Sequence, residues 1–544
     1  MQDWWRGAVI YQIYPRSFQD STGSGVGDLP GITARLDHVA RLGADAIWLS
    51  PIFTSPMADM GYDVADYTGI DPLFGSLNDF QAMIARAHDL GLKVIVDQVL
   101  SHTSIKHPWF EASRASRSGD KSDWYVWAEA LPSGAPPNNW ISVFGGSAWA
   151  WDTRRRQYYL HNFLPEQPDL NYHNRAVQDA ILHTMRFWLD QGVDGFRLDT
   201  VNYYFHDAAL RSNPPEPYKE NLPPANPYEM QDHVYDKSRP ENVEWLKRVR
   251  ALVDEYDDRM LVGEVGEGAK RALQVMAEYT RGSDRLHMAY SFDLLGPEFS
   301  PGHFRSKIEG FFRGAPDGWP SWSFSNHDVA RHVSRWQTYG HSPDSLAILA
   351  AAMLASFEGT IGLYQGEELG QLETDILYEE LTDPPGFAFW PDYKGRDGCR
   401  TPMVWEKSKP NGGFTTGRPW LPVKPKQLAR AVDAQRTGSV LEAYRALLAY
   451  RRATAAFRTG KTRFIDLPDP LLAFWRDIGP DLGPGAHLCV FNLSAQAQST
   501  DLTAPLALTG PLALTGPSQS ATLTGQTLAL GPNGFAYLTA QEHP

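Results

Sequence analysis

Short apolar segments rich in β-branched residues recur along the chain, and most are followed by a stretch in which apolar positions return every three or four residues. The first pattern predicts strands at 8–15, 45–53, 93–99, 195–200, 260–265, 286–293, 321–328 and 361–367. The second predicts amphipathic helices, for example at 77–90, 175–191 and 242–256. Strands that alternate with helices form βαβ units with a parallel sheet, and eight such units close a barrel. The sequence therefore predicts an α/β fold, a (β/α)8 TIM barrel.

Two connections are too long for plain barrel loops. The segment 104–171, after the third strand, is rich in Gly, Pro and aromatic residues, and we predict that it forms an inserted domain. The segment 203–240, after the fourth strand, carries several prolines. It belongs to the carboxyl-terminal face of a barrel, where active sites are built. The barrel itself is assigned to residues 1–103 and 172–460.

The pattern changes after residue 460. No charged residue occurs from Leu502 to Gln541, and Leu-Thr-Gly recurs among short alternating segments. This pattern is typical of an all-β domain, so we predict a C-terminal β-sandwich domain at 461–544. The near-repeat at 505–516 is interpreted as two adjacent strand edges, because a solenoid needs more copies.

The overall charge limits the possible partners. The 544 residues include 50 Lys and Arg against 64 Asp and Glu, which gives a formal net charge of −14. Nucleic acids and anionic membranes require a basic footprint, so neither is expected as a partner. Cys399 and Cys489 cannot form a disulfide framework, the first residues lack a signal-peptide pattern, and the longest apolar run, 346–357, is shorter than a membrane span. We therefore expect a cytoplasmic protein.

Acidic residues close several of the predicted strands, and basic residues accompany them. In strand order these residues are Asp97 and His102, Arg197 and Asp199, Glu264, and His327 and Asp328. A barrel gathers the carboxyl ends of its strands around one mouth. Carboxylates with two histidines and an arginine are the parts of a site that cleaves a glycosidic bond through an oxocarbenium-like transition state.

The neighbours of the three carboxylates suggest different protonation states. Strand alternation places Arg197 on the same face as Asp199, where the guanidinium favours the ionised carboxylate. Glu264 has apolar neighbours and is expected to keep its proton, whereas Asp328 beside His327 is suited to stabilise positive charge. Taken alone, Arg-Leu-Asp also fits a structural ion pair, and Asn-His-Asp also fits a helix cap. Their joint position at the ends of different strands favours catalysis.

Further motifs reveal a family resemblance. Residues 43–51 match a second-strand motif, 167–171 a motif of the inserted domain, and 359–367 a last-strand motif. With the motifs above, the chain resembles the α-amylase superfamily, glycoside hydrolase family 13, and within it the α-glucosidase and oligo-1,6-glucosidase branch, over essentially its whole length. The resemblance implies that Asp199 is the nucleophile, Glu264 the acid/base and Asp328 the transition-state stabiliser.

The resemblance also implies a set of substrate-binding residues. Most of them contact either the sugar next to the scissile bond or the hydroxyls at its non-reducing end. The set comprises His102, Arg197 and His327 for the first group, Tyr62, Asp63 and Arg400 for the second, and Phe163 and Thr200. A carboxylate and a guanidinium at the non-reducing end would close the pocket to longer chains.

Three positions after the fourth strand bear on specificity. α-Amylases usually carry Lys-His where this chain has Asn202-Tyr203, which favours the α-glucosidase branch. In that branch threonine after the nucleophile goes with α-1,4 linkages, and this chain has Thr200. We expect a retaining, exo-acting α-glucosidase that releases or transfers glucose from short, maltose-like α-glucosides, with an alcohol or sugar as acceptor in transfer. The alternatives are a glucosyltransferase or isomerase of the same family, a non-catalytic sugar-binding barrel, and a phosphate-binding barrel enzyme.

No cofactor is expected for this chemistry, but a structural Ca²⁺ or Mg²⁺ is considered in an N-terminal loop. The Gly-rich loop places oxygens at alternate positions, as hard cations prefer. These positions are Asp20, Thr22, Ser24, Val26 and Asp28. The alternative is a Gly-rich turn held by Asp and Ser caps. Amylases also have a structural calcium site held by an Asn before the third-strand histidine. This chain has Ser101 at that position, so we do not expect this calcium site.

Overall fold

The computed structural model describes residues 3–217, 226–479, 485–503 and 511–540. Its largest sheet contains eight parallel strands: Val9–Ile13, Ala46–Leu49, Lys93–Gln98, Gly195–Leu198, Met260–Val265, Met288–Ser291, Ser321–Ser323 and Thr360–Tyr364. The first strand pairs with the last, and a bridge between Ala289 and Pro320 joins the sixth strand to the seventh. The sheet thus closes on itself. Each strand overlaps its predicted position, and the predicted TIM barrel is confirmed.

Helices surround the barrel, one after each strand or its insertion. They are Leu29–Leu42, Leu77–Asp89, Arg175–Asp190, Asn242–Val253, Ala272–Thr280, Pro301–Gly314, Pro343–Ser356 and Val440–Ala453. Their starts are set locally: Ser76 and Asp79 form a reciprocal capping box at the second helix, and Asp28 accepts from the backbone of Gly31 at the first. Shorter helices lie in the connections: Pro108–Ala115, His332–Arg335, Pro384–Ala388, Asp397–Arg400, Pro425–Leu428 and Ala455–Thr459.

The connection after the third strand carries a small sheet of its own. Its antiparallel strands are Trp127–Ala128, Trp149–Asp152 and Gln157–Leu160, and the helix Pro108–Ala115 precedes them. A bridge from His102 to Asp169 joins the end of this segment to the residues that follow the third barrel strand, and a bridge from Tyr125 to Leu170 lies within the segment. A hairpin of Phe53–Thr54 with Asp66–Ile70 lies in the connection that follows the second barrel strand. The inserted domain therefore borders the carboxyl-terminal face.

The C-terminal region is an antiparallel sheet, which confirms the predicted all-β domain. Its described strands are Lys461–Ile465, Leu471–Asp477, His487–Asn492, Gln498–Asp501, Leu512–Thr524 and Thr527–Ala540. Phe474, Phe491, Phe535 and Tyr537 join the main hydrophobic core, because this face packs on the barrel helices Pro343–Ser356 and Val440–Ala453. The first copy of the near-repeat, 505–510, lies outside the described residues, and the second copy begins the strand Leu512–Thr524.

Three expectations remain predictions. They are the domain boundaries, the sandwich form of the C-terminal domain and the cytoplasmic location. Within the described ranges, no helix is long and apolar enough to cross a bilayer. Cys399 and Cys489 are both buried and unpaired by disulfide.

Candidate active site

The barrel brings the three candidate carboxylates to one cavity. Asp199 follows the fourth strand directly, Glu264 lies within the fifth, and Asp328 follows the seventh. All three line a cavity of about 230 Å³ at the mouth of the barrel. Its other lining residues are Asp59, Tyr62, His102, Val143, Phe144, Phe163, Gln167, Thr200, Tyr203, Gly266, Phe292 and Arg396. Strands from different parts of the chain thus supply one site, as barrel geometry requires.

Arg197 is the electrostatic centre of this site. Its guanidinium is 1% exposed and lies 2.8 Å from Asp97, 2.6 Å from Asp199 and 2.7 Å from Glu264. The Tyr290 hydroxyl accepts from Nε and Nη2 of Arg197, at 3.0 and 2.8 Å, and donates to Glu264 over 3.1 Å. Two carboxyl groups held by adjacent nitrogens of one guanidinium lie close together, which suits the separation of about 5 to 5.5 Å in retaining glycosidases.

Burial and neighbouring charges separate the pKa values of the three carboxyls. Burial raises the pKa of Asp199 to about 6 and that of Glu264 to about 8, against the opposing pull of Arg197. Burial also acts to raise the pKa of Asp328, but His327 and the guanidinium groups of Arg396 and Arg400 lower it below its ordinary value. Among these three carboxyls, the pKa of Glu264 therefore lies above neutral pH and the pKa values of Asp199 and Asp328 lie below it.

Two buried histidines in the neutral form belong to the site. His102 lines the cavity, whereas His327 is not part of its lining and contacts the lining residues Tyr62 and Asp328. Gln12 Nε2 donates to Nδ1 of His327 over 2.8 Å, so the ring proton of His327 is on Nε2, 2.5 Å from the Tyr62 hydroxyl. His102 places Nε2 3.0 Å from the Tyr62 carbonyl, and the Ser101 hydroxyl lies 2.8 Å from its Nδ1. Burial lowers the pKa of His102 to about 4 and that of His327 to about 3. Neutral imidazoles can hydrogen-bond sugar hydroxyls without adding charge.

An ion-pair network closes one end of the cavity. Arg396 lies 2.8 Å from Asp59, 3.2 Å from Asp328 and 2.7 Å from Asp383. Asp59 and Arg396 line the cavity, whereas Asp383 lies behind them and is fully buried. Neither Asp59 nor Arg396 was singled out from the sequence. The sequence indication for Asp59 is its position, three residues before Tyr62 in Asp-Met-Gly-Tyr.

The structure places two expected residues behind the cavity wall. Asp63 is fully buried, and its carboxylate accepts from the Ser55 hydroxyl and the backbone amides of Ala58 and Asp59. It therefore holds the loop that presents Asp59, and its own oxygens do not face the cavity. Arg400 is also fully buried and donates to the His327 carbonyl at 2.8 Å and to Asp328 at 3.1 Å. It reaches the cavity only through Asp328.

Aromatic rings form an apolar wall that begins at Arg396, whose guanidinium carbon lies 5.2 Å from the centre of the Phe144 ring. The Phe163 ring lies 5.2 Å from His102, 5.7 Å from Phe144 and 5.5 Å from Tyr203. Val143 and Phe292 extend this apolar surface. Aromatic faces bind the apolar faces of sugars and exclude water.

Thr200 connects the two carboxyls at the centre of the site. Its amide donates to Glu264 over 3.1 Å and its hydroxyl donates to Asp199 over 3.2 Å. It has a φ of +40°, which is unusual for a β-branched residue. Such strain persists only where surrounding contacts over-determine the conformation. Here the bonds to Asp199 and Glu264 hold it.

The N-terminal loop is arranged as a turn. Asp20 accepts from the amides of Thr22, Gly23 and Gly25 and from two hydroxyls, so both of its carboxylate oxygens are engaged. Asp28 caps the first barrel helix, and the Ser24 hydroxyl donates to the Val26 carbonyl. The loop's own hydrogen bonds occupy the oxygens that a cation would need. In the described part of the chain, no group of three or more His, Cys, Asp or Glu side chains is arranged for a metal. These residues do not fit a bound Ca²⁺ or Mg²⁺.

Comparisons with known proteins agree on one family. Residues 12–460 match the family model described as alpha amylase, catalytic domain. The chain is 56% identical over 508 residues to a probable alpha-glucosidase of Rhizobium meliloti, covering 92% of this chain and 91% of that protein. It is 36% identical over 512 residues to an oligo-1,6-glucosidase of Heyndrickxia coagulans, covering 86% and 88% of the two proteins.

Solved structures give the same result. The alpha-glucosyl transfer enzyme XgtA is 48% identical and superposes with a TM-score of 0.94, covering 99% of this chain and all of that one. The trehalulose synthase MutB is 31% identical with a TM-score of 0.87, covering 98% and 99% of the two chains. A trehalose-6-phosphate hydrolase of Bacillus licheniformis is 30% identical with a TM-score of 0.88, covering 99% of this chain and all of that one, so the similar structures include both a hydrolase and a transfer enzyme.

Proposed function

This chain belongs to the α-glucosidase branch of the α-amylase superfamily and is a glycoside hydrolase, and from that premise we propose that it is a retaining, exo-acting α-glucosidase that releases or transfers glucose from short α-1,4-linked glucosides. The observation that carries the proposal is that the barrel gathers Asp199, Glu264 and Asp328 at one cavity, with the first two bound to the same guanidinium. Burial raises the pKa of Glu264 to about 8, above that of Asp199 at about 6, which suits an acid beside a nucleophile. An acid next to a nucleophile is what cleavage of a glycosidic bond with retention requires.

In the first step, Asp199 attacks the anomeric carbon and Glu264 protonates the departing glycosidic oxygen. Arg197 holds the carboxylate of Asp199 at 2.6 Å and thereby favours its ionised, nucleophilic form. Asp328 stabilises the positive charge that develops on the sugar ring. The bond from the anomeric carbon to the leaving oxygen breaks as the ester bond to Asp199 forms.

In the second step, Glu264 removes a proton from water or from an acceptor hydroxyl, which displaces Asp199 and restores the original configuration. Water yields glucose, and an alcohol or sugar yields a new glucoside. The apolar wall of Phe144, Phe163 and Tyr203 supports transfer as a second outcome, because it limits the water near the intermediate.

Exo action is supported by the charged end of the cavity. The Asp59–Arg396 pair and Asp328 terminate the space around one sugar and can make charge-assisted bonds to its outer hydroxyls. The α-1,4 preference rests on Thr200, which lines the cavity and whose hydroxyl donates to Asp199 over 3.2 Å. A branched alkyl side chain at this position would remove that polar contact.

The direct test uses maltose with Asp199→Asn. We expect loss of glucose release by at least about a thousandfold, because the isosteric amide cannot form the ester. Asp254→Asn is the matched control, since Asp254 is an exposed residue that pairs with Arg250 on an outer helix. Proton NMR of the first product should show α-glucose. Near-normal activity of Asp199→Asn, or β-glucose as the first product, would refute the proposal.

A further inference from the structure

The cavity lining has two chemically different parts. The Asp59–Arg396 ion pair lies in one part of the lining. Glu264 has no ion pair with Arg396; it accepts from the Thr200 amide and is followed two residues later by Gly266, which lines the cavity with Tyr203. An acid/base group must contact the leaving oxygen in the first step and the acceptor in the second. Residues that flank Glu264 therefore surround the leaving group and the acceptor.

A buried lysine from the long fourth-strand connection supports this second part. Lys237 is 4% exposed, and its ammonium donates to the Gly266 carbonyl over 2.7 Å and to the Tyr203 hydroxyl over 3.2 Å. It also lies 5.0 Å from the ring centre of Tyr203 and 5.2 Å from that of Tyr228. Among the residues that the structure describes, no carboxylate forms a salt bridge with Lys237.

Burying a lysine without a direct carboxylate partner is costly, so its contacts must offset that cost. The direct contacts of the Lys237 ammonium are a carbonyl, a hydroxyl and two ring faces, and the carboxylates of Glu267 and Asp236, beyond salt-bridge distance, also favour its charged form. Each of the direct partners except Tyr228 belongs to the cavity lining. The ammonium of Lys237 therefore holds two residues of the cavity wall, Tyr203 and Gly266, in place.

The contacts of Lys237 fix both neighbours of the acid/base. The Tyr203 oxygen accepts from Lys237 and shares a second hydrogen bond of 2.8 Å with the Tyr228 hydroxyl, so two contacts hold the ring in place. Gly266 is two residues after Glu264 and is further held by Asn202, whose side chain accepts from its amide at 2.9 Å. The adjacent Ser238 donates its amide to the Asn202 carbonyl and accepts from the Asn202 side chain at 2.9 Å. One short segment thus joins the loop that follows the nucleophile to the loop that follows the acid/base.

We propose that Lys237 is the positioning residue of the acceptor side, which holds Tyr203 and the Gly266 carbonyl so that an alcohol competes with water for the glucosyl intermediate. This inference rests on the proposed function. Lys237 does not touch the sugar, and it acts through Tyr203 and Gly266. A loosened wall would admit water and remove the surface on which the acceptor packs.

The test measures how one intermediate is divided between two acceptors. The donor is p-nitrophenyl α-glucoside, the acceptor is 1-propanol, and the quantity is the ratio of propyl glucoside to glucose. Both products come from the same intermediate, so any change in donor turnover cancels from the ratio. We expect Lys237→Met to lower the ratio at least about fivefold, which corresponds to about 1 kcal/mol.

Two further variants separate positioning from a general structural effect. Lys237→Arg keeps the charge and should recover part of the ratio, and Tyr203→Phe, which lacks the oxygen that Lys237 donates to, should lower it. Lys270→Met is the matched control, because Lys270 is 66% exposed and lies on the outer side of the same region. It should keep the wild-type ratio. If Lys237→Met does not fold, Tyr203→Phe carries the test alone.

The outcomes are distinct for the two proposals. An unchanged ratio in folded Lys237→Met, or in Tyr203→Phe where the lysine variant does not fold, overturns the inference about Lys237. So does the absence of propyl glucoside with the wild-type enzyme, although glucose release would then still support the proposed function. Absence of any p-nitrophenol release by the wild-type enzyme would instead overturn the proposed function.

Discussion

Replacing Glu264 by Gln should remove the alkaline limb of the pH profile. Burial raises the pKa of Glu264 to about 8, and the charges of Asp199 and Asp328 act in the same direction while Arg197 opposes them. Relative to an exposed glutamic acid, this favours the protonated carboxyl by roughly 5 kcal/mol. Because burial also raises the pKa of Asp199 to about 6, wild-type kcat/KM should be highest between these two values. It should fall about tenfold per pH unit on either side.

The assay uses p-nitrophenyl α-glucoside, whose leaving group needs little protonation. With Glu264→Gln, the first step should persist and the second should slow, because no base activates water. We expect a burst of p-nitrophenol followed by slow turnover, and azide, which attacks without a general base, should restore turnover. The burst rate should keep the acid limb near pH 6 and lose the alkaline limb.

Glu244→Gln is the control for this experiment, since the Glu244 side chain is 76% exposed and pairs with Lys247 on an outer helix. It should retain both limbs of the profile. An alkaline limb that stays near pH 8 in Glu264→Gln would mean that another group titrates there. That result would refute the assignment of the acid/base.

Three other perturbations test separate parts of the site. Thr200→Val removes a hydroxyl that donates to a catalytic carboxylate, so the ratio of kcat/KM for isomaltose to that for maltose should rise about tenfold, the effect of one hydrogen bond; an unchanged ratio would contradict the linkage argument. Asp383→Asn removes the carboxylate that holds Arg396 and should raise KM for maltose about tenfold or more. Asp375→Asn is the control, because Asp375 is 76% exposed and pairs with Lys394, and it should leave KM unchanged. Chelation with EDTA should leave Tm unchanged because the Asp20 loop holds itself, and a rise of Tm on adding Ca²⁺ would count against that interpretation.

The barrel strands are predictable because each is a short apolar run between polar loops, and the barrel then dictates where their last residues meet. Asp199 and Glu264 inherit their positions directly from strands. Asp59 and Arg396 do not, because they lie in loops whose direction is decided by distant partners such as Asp383. Periodicity carries no information about such partners.

The same limit applies to the residues behind the cavity. Asp63 stands beside Tyr62 in sequence, yet its carboxylate turns into the loop and bonds backbone amides. Lys237 lies in a proline-rich connection where no regular pattern predicts that a lysine should be buried. The N-terminal loop has oxygen spacing that suits a cation, but Asp20 uses its oxygens on the loop itself. Spacing alone cannot distinguish a ligand from a cap.

Sharing one guanidinium among Asp97, Asp199 and Glu264 has a consequence for timing. While Asp199 is ionised, its charge is one of the causes that hold the proton on Glu264. Esterification of Asp199 removes that charge, and Arg197 then faces one fewer carboxylate. The pKa of Glu264 must drop at that moment. After donating its proton to the leaving group, Glu264 therefore stays ionised and can act as the base that takes a proton from water or an acceptor. The covalent state of one side chain thereby sets the readiness of the other, without any movement of the backbone.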